Sequence, residues 1–164
     1  MPSSVEAVRS LIVEHAADLV ADSPEVESVN VRVLRPERTL VEKLILLHTA
    51  HSLNNEHDAL RGARHYYDVH RPLSVDYVLD ALSNGSVEII ARDVCTYSKE
   101  ADHDFVPRPA GGFAASPAFA DGPMIDAVRT EYERRVLGEL LWRDSERPSF
   151  DECLDLIRAC GPRL

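Results

Sequence analysis

The segment from Leu40 to Leu53 constrains this chain more than any other. Its first half is apolar nearly all round, with Leu40, Leu44, Ile45, Leu46 and Leu47 closely spaced. A helix with no polar face is stable only where other elements cover it. The pattern therefore predicts a central helix around which the remaining elements pack. Lys43 lies inside this run. A lysine in that position must reach along its stem to solvent, pair with an anion, or face a cleft.

Helices are the predicted neighbours. Three boxes of the form S/T-x-x-E mark helix starts: Ser3 with Glu6, Thr39 with Glu42, and Ser149 with Glu152. In each, hydroxyl and carboxylate would satisfy the orphan N–H groups of a first turn. From the first box a helix is predicted over Val5 to Val20, with Val8, Leu11, Ile12 and Leu19 on its apolar side. Val29, Val31 and Val33 alternate with Asn30 and Arg32, the period-two pattern of a short strand with one face buried, and Pro36 ends it.

Beyond the central helix, a polar loop runs from Asn54 to about Asp58 and a short helix carries Arg64 to Arg71, stopping at Pro72. Ser74 starts another helix, which Asn84-Gly85 closes. Val87, Ile90, Ala91, Val94 and Cys95 give the helix beginning at Ser86 a clean apolar stripe. Residues 101–122 are rich in Pro, Gly and Ala without periodicity, a long loop of the kind that is usually functional or mobile. Pro123 suits the first position of a long helix reaching about Trp142, and the Ser149 helix closes the chain. A lone strand needs a partner, either in the long loop or in sequence outside these residues. The expected fold is mainly α: a single compact multi-helix domain over 1–164 with one or two short strands.

With 45% hydrophobic residues but only 6% aromatics, the core of such a domain must be built chiefly from Leu, Val, Ile and Ala. No stretch approaches the length of a membrane span, and neither end carries a charged segment followed by an apolar run. A cytoplasmic protein without membrane contact is expected. Cys95, Cys153 and Cys160 are odd in number and lack CxxC spacing, so free thiols are expected rather than a disulfide frame. The net charge of −10 argues against broad, non-specific binding to nucleic acid. It leaves room for a local basic site. Arg61, Arg64, His65, His70 and Arg71 stand against the single acid Asp68, in otherwise acidic surroundings.

On the predicted Arg64 helix, Arg61, Arg64, His65 and Asp68 fall at i, i+3, i+4 and i+7 and share one polar stripe, with Tyr66 and Val69 turned inward. If this helix packs on the central one, Lys43 and Asp68 meet at the edge of that stripe. Two readings follow. One is a phosphate site with Lys43 and Arg64 as cations and Asp68 orienting one of them. The other is a structural ion pair joining two helices. Elsewhere, His48 and His51 lie three apart, a spacing that can seat a metal, with Glu56 and His57 nearby. Polar-face histidines are the simpler expectation. Tyr66-Tyr67 could stack a base, although core packing accounts for at least one of them.

The stretch from Val31 through Pro36-Glu37-Arg38-Thr39-Leu40-Val41-Glu42-Lys43-Leu44, followed by Arg64-His65-Tyr66-Tyr67-Asp68, resembles two motifs of the AbiEii/AbiGii nucleotidyltransferase toxin family. Pro148-Ser149-Phe150-Asp151-Glu152 is similar to that family's C-terminal turn. The likeness covers essentially the whole chain. It implies the helical C-terminal half of a polymerase-β-type nucleotidyltransferase, one member of a toxin–antitoxin pair, that transfers nucleotides from NTP to an RNA 3′ end such as that of tRNA. By motif, Lys43 would contact the nucleotide phosphates and Asp68 would complete the active site, with Arg64 and His65 as neighbouring nucleotide-binding residues.

The same resemblance places a Gly-Gly turn and an Asp-x-Asp pair on a preceding sheet, where the carboxylates hold the Mg²⁺ that bridges the phosphates. Neither occurs before Val31. Asp102-His103-Asp104 has the spacing, and Gly111-Gly112 the glycines, but both lie in the predicted loop, after the other motifs. The expectation is that this chain carries the Lys43 and Asp68 side of the site, holds no metal or cofactor by itself, and is inactive alone. A non-catalytic module that binds an antitoxin or a separate N-terminal half is the alternative, and a small metal-dependent hydrolase built on the histidines is a third reading. An uncovered strand edge would favour dimers.

Overall fold

The computed structural model describes residues 3–9, 15, 28–82, 85–100, 105–141 and 145–164. They belong to two compact units, Met1–Arg35 and Pro36–Leu164. Among the described residues the fold is mainly α, with seven α-helices and one two-stranded sheet.

In the first unit, β1 (Ser3–Val8) and β2 (Val29–Leu34) pair antiparallel, in a register running from Ser3 opposite Leu34 to Val8 opposite Val29. The alternating valines of β2 do form a strand. Its partner is neither in the long loop nor outside the chain: it is β1, where a helix from Val5 is predicted. Ser3 and Glu6 are strand residues, not a capping box. Val5 and Val8 stand three apart, as on a helix face, while Val5 and Ala7 alternate with Glu6 as in a strand; over so short a run cross-strand pairing decides between the two. The rest of the predicted first helix lies outside the described residues, except for His15, which is helical. Strand alternation puts Val8, Val29, Val31 and Val33 on one face with Ser4 and Glu6. The expected burial of that face is not found: all six residues of β2 are exposed, Val29 by 63%.

The second unit is organised around α1 (Pro36–Ser52). Leu40, Val41, Leu44 and Ile45 are fully buried and Leu47 nearly so, as a helix without a polar face requires. The helix starts one turn earlier than the Thr39 box predicts, because Pro36 occupies the first helical position, where its missing N–H costs nothing. Thr39 is therefore an interior residue. Asn55 caps α2 (Glu56–Arg61) by accepting from the Asp58 N–H, and α3 (Arg64–Leu73) follows with Pro72 in its last turn. Short α4 (Asp76–Ala81) lacks a side-chain cap, since the Ser74 hydroxyl donates to the His70 carbonyl instead. The α5 helix (Ser86–Glu100) buries Val87, Ile90, Ala91 and Val94 along the predicted stripe.

Segment 105–122 contains two 3₁₀ turns, Phe113–Ala115 and Pro117–Phe119. α6 (Pro123–Glu131) then passes into a nine-residue π-helical stretch, Tyr132–Leu140. α7 (Phe150–Cys160) begins at the predicted capping box: the Glu152 N–H donates to Ser149 Oγ at 3.2 Å and the Ser149 N–H to Glu152 Oε2 at 2.7 Å.

α3 lies between α1 and α7 and carries the aromatic centre of the core. The fully buried Tyr66 ring lies 4.7 Å from that of Phe150, which lies 5.6 Å from Tyr132. The Tyr66 hydroxyl donates to the Ala118 carbonyl at 2.8 Å, so Tyr66 is a core residue tying the 3₁₀ turn to α3. No helix among the described residues is long and apolar enough to cross a membrane. The three cysteines are free, Cys153 buried and the other two half-buried.

Candidate functional site

The site begins with how α1 is fastened. Arg38, only 4% exposed, pairs with Glu42 at 3.1 Å on its own helix and with Asp93 on α5. Two carboxylates around one buried guanidinium balance its charge and lock α1 against α5. Lys43 is one residue further on from Glu42, about 100° around the helix, and does not share in this arrangement. It is half-buried and has no ion pair with any described residue. Its face of α1 continues through Leu46, Leu47 and Ala50, at i+3, i+4 and i+7.

Those three residues form one wall of a cleft of ≈ 550 Å³, closed by α2, the start of α3 and the π-helical stretch. Arg61, Arg64, His65 and Arg135 bring cationic or titratable groups to it, and Leu53, Leu60, Val136 and Leu140 extend its apolar floor. Arg61 and Arg64 are exposed and without an ion pair to any described residue, while Arg135 lies 4.0 Å from Glu131. Asp58 also lines the cleft, but its carboxylate is engaged by the Asn55 amide at 2.7 Å.

The predicted residues are thus partly brought together. Arg61, Arg64 and His65 share the cleft, and Asp68 joins them through His65: Nδ1 and Asp68 Oδ2 are 2.9 Å apart. The expected meeting of Lys43 with Asp68 does not occur among the described residues. Asp68 is one turn from His65 on α3, and that part-buried hydrogen bond takes its carboxylate. A carboxylate on Nδ1 fixes the imidazole's orientation and its tautomer, leaving Nε2 as the acceptor when the ring is neutral. Arg135 is a residue that sequence reasoning misses. It follows Arg134 in a run whose α-helical phase gives no face, because the run is π-helical.

His48 and His51 are buried rather than on a polar face, 5% and 7% exposed. His48 Nδ1 shares a 2.9 Å hydrogen bond with Ser116 Oγ, and His51 Nδ1 bonds the Leu47 carbonyl at 2.9 Å. Next to them, Thr49 Oγ1 accepts from the Val106 N–H at 3.0 Å. This end of α1 therefore holds segment 105–119. Burial depresses the pKa of both rings, helped at His48 by the proximity of His51 and opposed by backbone hydrogen bonds. Among the described residues no three His, Cys, Asp or Glu side chains gather as a metal site. Asp102, His103 and Asp104 lie outside the described residues.

The sequence model of one family, described as the nucleotidyl transferase AbiEii toxin of a Type IV TA system, matches residues 4–156. No curated relative and no solved structure matches the chain.

Proposed function

The chain belongs to the nucleotidyl transferase AbiEii toxin family, and on that premise we propose that it carries the phosphate-contacting side of a nucleotide transfer site. In this reading Lys43 binds the phosphates of an NTP. Asp68 acts with His65, the carboxylate holding the imidazole in place, and Arg64 stands beside them as a further phosphate ligand. The reaction would join an RNA 3′-hydroxyl oxygen, in tRNA for instance, to the α-phosphorus of the NTP. The hydroxyl proton leaves to a base and pyrophosphate departs with the electrons of the broken P–O bond.

One observation supports the reading above the rest. Lys43 is a half-buried cation with no ion pair to any described residue, in a chain with 28 acidic and 18 basic side chains. A cation so placed and without a carboxylate partner is open to an anionic ligand.

The described residues do not by themselves fit a Mg²⁺ site. Asp68 is held by His65 and Asp58 by Asn55, and no three donors converge. The metal-binding carboxylates of the full reaction are proposed to come from elsewhere, so that these 164 residues bind nucleotide without transferring it. An antitoxin is the proposed protein partner and the cytoplasm the proposed compartment.

Calorimetry of NTP binding tests the reading on the wild-type chain, Lys43→Ala and Asp68→Ala, with circular dichroism as the fold control. Binding is expected to weaken roughly tenfold or more in Lys43→Ala, as the removal of one charge-assisted hydrogen bond requires. Equal binding in all three proteins would sink it. A second reading, a non-catalytic partner-binding module, draws support from the exposed valines of β2. Sedimentation showing concentration-dependent dimers, without NTP binding, would favour that one.

A further inference from the structure

We propose that Arg61 and Arg135, together with Arg64, form a phosphate-binding cleft that adjoins the proposed Lys43 and Asp68 site and shares Arg64 with it, so that the protein engages phosphate groups beyond those that Lys43 contacts. Three guanidinium groups line this one cleft in a chain of net charge −10. Like charges gathered around one space repel each other, and an anion between them removes that repulsion. Arg61 and Arg64 have no ion pair with any described residue, although acidic side chains outnumber basic ones in this sequence. Arg135 has only the 4.0 Å approach of Glu131. Arginine is suited to the role: its planar fork offers two parallel N–H donors to phosphate oxygens.

Two consecutive helices and one element distant in sequence build the cleft, with Arg61 ending α2, Arg64 opening α3 and Arg135 on the π-helical stretch. The lining also has an apolar part. Leu53 and Leu140 are largely exposed there, 61% and 51%. A space of ≈ 550 Å³ lined by both cations and leucines suits a phosphate attached to a less polar body, at the scale of a small-molecule site. Such a group has two sources: the phosphates of a free nucleotide, or the phosphodiesters of a single nucleic-acid strand. The choice between these sources rests on the nucleotidyl transferase reading, and the cleft's test is separable from that reading's own.

The experiment titrates the full chain with ATP by calorimetry and with a short fluorescein-labelled single-stranded oligoribonucleotide by anisotropy. It compares wild type, Arg61→Gln/Arg135→Gln, Lys43→Ala and, as a surface control, Arg92→Gln. Arg92 is exposed and pairs with Glu88 away from the cleft. The cleft proposal expects at least one ligand to bind roughly tenfold or more weakly in the double variant and unchanged in Arg92→Gln. If the weakened ligand is the oligonucleotide, the slope of log affinity against log salt also falls, by about 0.7 for each phosphate that is no longer neutralised. Weakening confined to that arm assigns the cleft to a strand, and weakening confined to ATP assigns it to a nucleotide. Unchanged affinity for both ligands in the double variant, equal weakening in Arg92→Gln, or no binding of either ligand by the wild type overturns it. Weakening in Lys43→Ala alone would overturn the cleft and leave the nucleotide site standing. Weakening in the double variant alone would do the reverse.

Discussion

Acidifying the protein from about pH 7.5 to about pH 5.5 should unfasten segment 105–119 from α1 by charging His48 and His51. Both rings are buried, both have their pKa depressed below the ordinary 6.5, and His51 Nε2 is buried without a hydrogen-bond partner among the described residues. The folded state thus resists protonation that the unfolded chain accepts. The sign follows from linkage: stability is fully present above pH 6.5 and is lost as pH falls towards the folded-state values. If neither ring protonates while folded, each contributes a loss of about 1.4 kcal/mol across this interval, or about 2.7 kcal/mol for the pair, as an upper limit. His70, depressed mainly by burial, adds in the same direction. Asp121 and Glu152 are depressed by their hydrogen bonds to Arg158 and Ser149 respectively, so their contribution is lost only below about pH 4.5 and the two windows separate. Urea unfolding at several pH values measures the slope, repeated on His48→Gln/His51→Gln. A flat stability between pH 7.5 and 5.5 would refute the argument, as would a wild-type slope surviving undiminished in the double variant, where only the smaller part from His70 should remain.

Three further outcomes follow from the packing. Phe150→Ala removes the ring that bridges Tyr66 and Tyr132 and should cost about 3–5 kcal/mol in urea unfolding; a cost under about 1 kcal/mol would mean the α3–α7 junction is not the core it is described to be. Tyr66→Phe deletes the buried hydrogen bond to Ala118, with an expected cost of about 1–3 kcal/mol and faster proteolysis in the 3₁₀ turns. Ser149→Ala dismantles the capping box of α7 at about 1 kcal/mol, visible as a lowered Tm, whereas Ser149→Asp should retain most of the cap.

How legible these features are depends on how local their causes are. The α1 core, the α5 stripe and the Ser149 box are set by side chains a turn or two apart, and each is readable. β1 is not, because a six-residue segment whose two valines are three apart carries no decisive strand period of its own and is decided by β2, which lies far along the sequence. The Thr39 box is misplaced by a turn because Pro36, a strand terminator in one reading, is equally a helix initiator. Lys43, Arg64, His65 and Asp68 can be named from motif and spacing. Their pairing cannot, since His65 takes the carboxylate that Lys43 is expected to meet. His48 and His51 look like polar-face residues until segment 105–119 lies over them, a contact between positions 68 residues apart.

The π-helical stretch also has a consequence for how such a protein can vary. In Tyr132–Leu140 the chain spends more residues per turn than an α-helix does. Two of its interactions depend on that looser winding: the Leu141 N–H reaches back five residues to the Val136 carbonyl, and Arg134 meets Glu139 five residues on. The stretch is therefore spare length stored inside a helix. Deleting one residue would let the backbone return to the tighter winding, which takes up much of the loss, whereas the same deletion in α1 would turn every following side chain by about 100° and misalign a fully buried core. Arg135, Val136 and Leu140 lie where a gain or loss of one residue re-aims side chains without dismantling the scaffold, so the cleft's lining can be changed by length as well as by substitution.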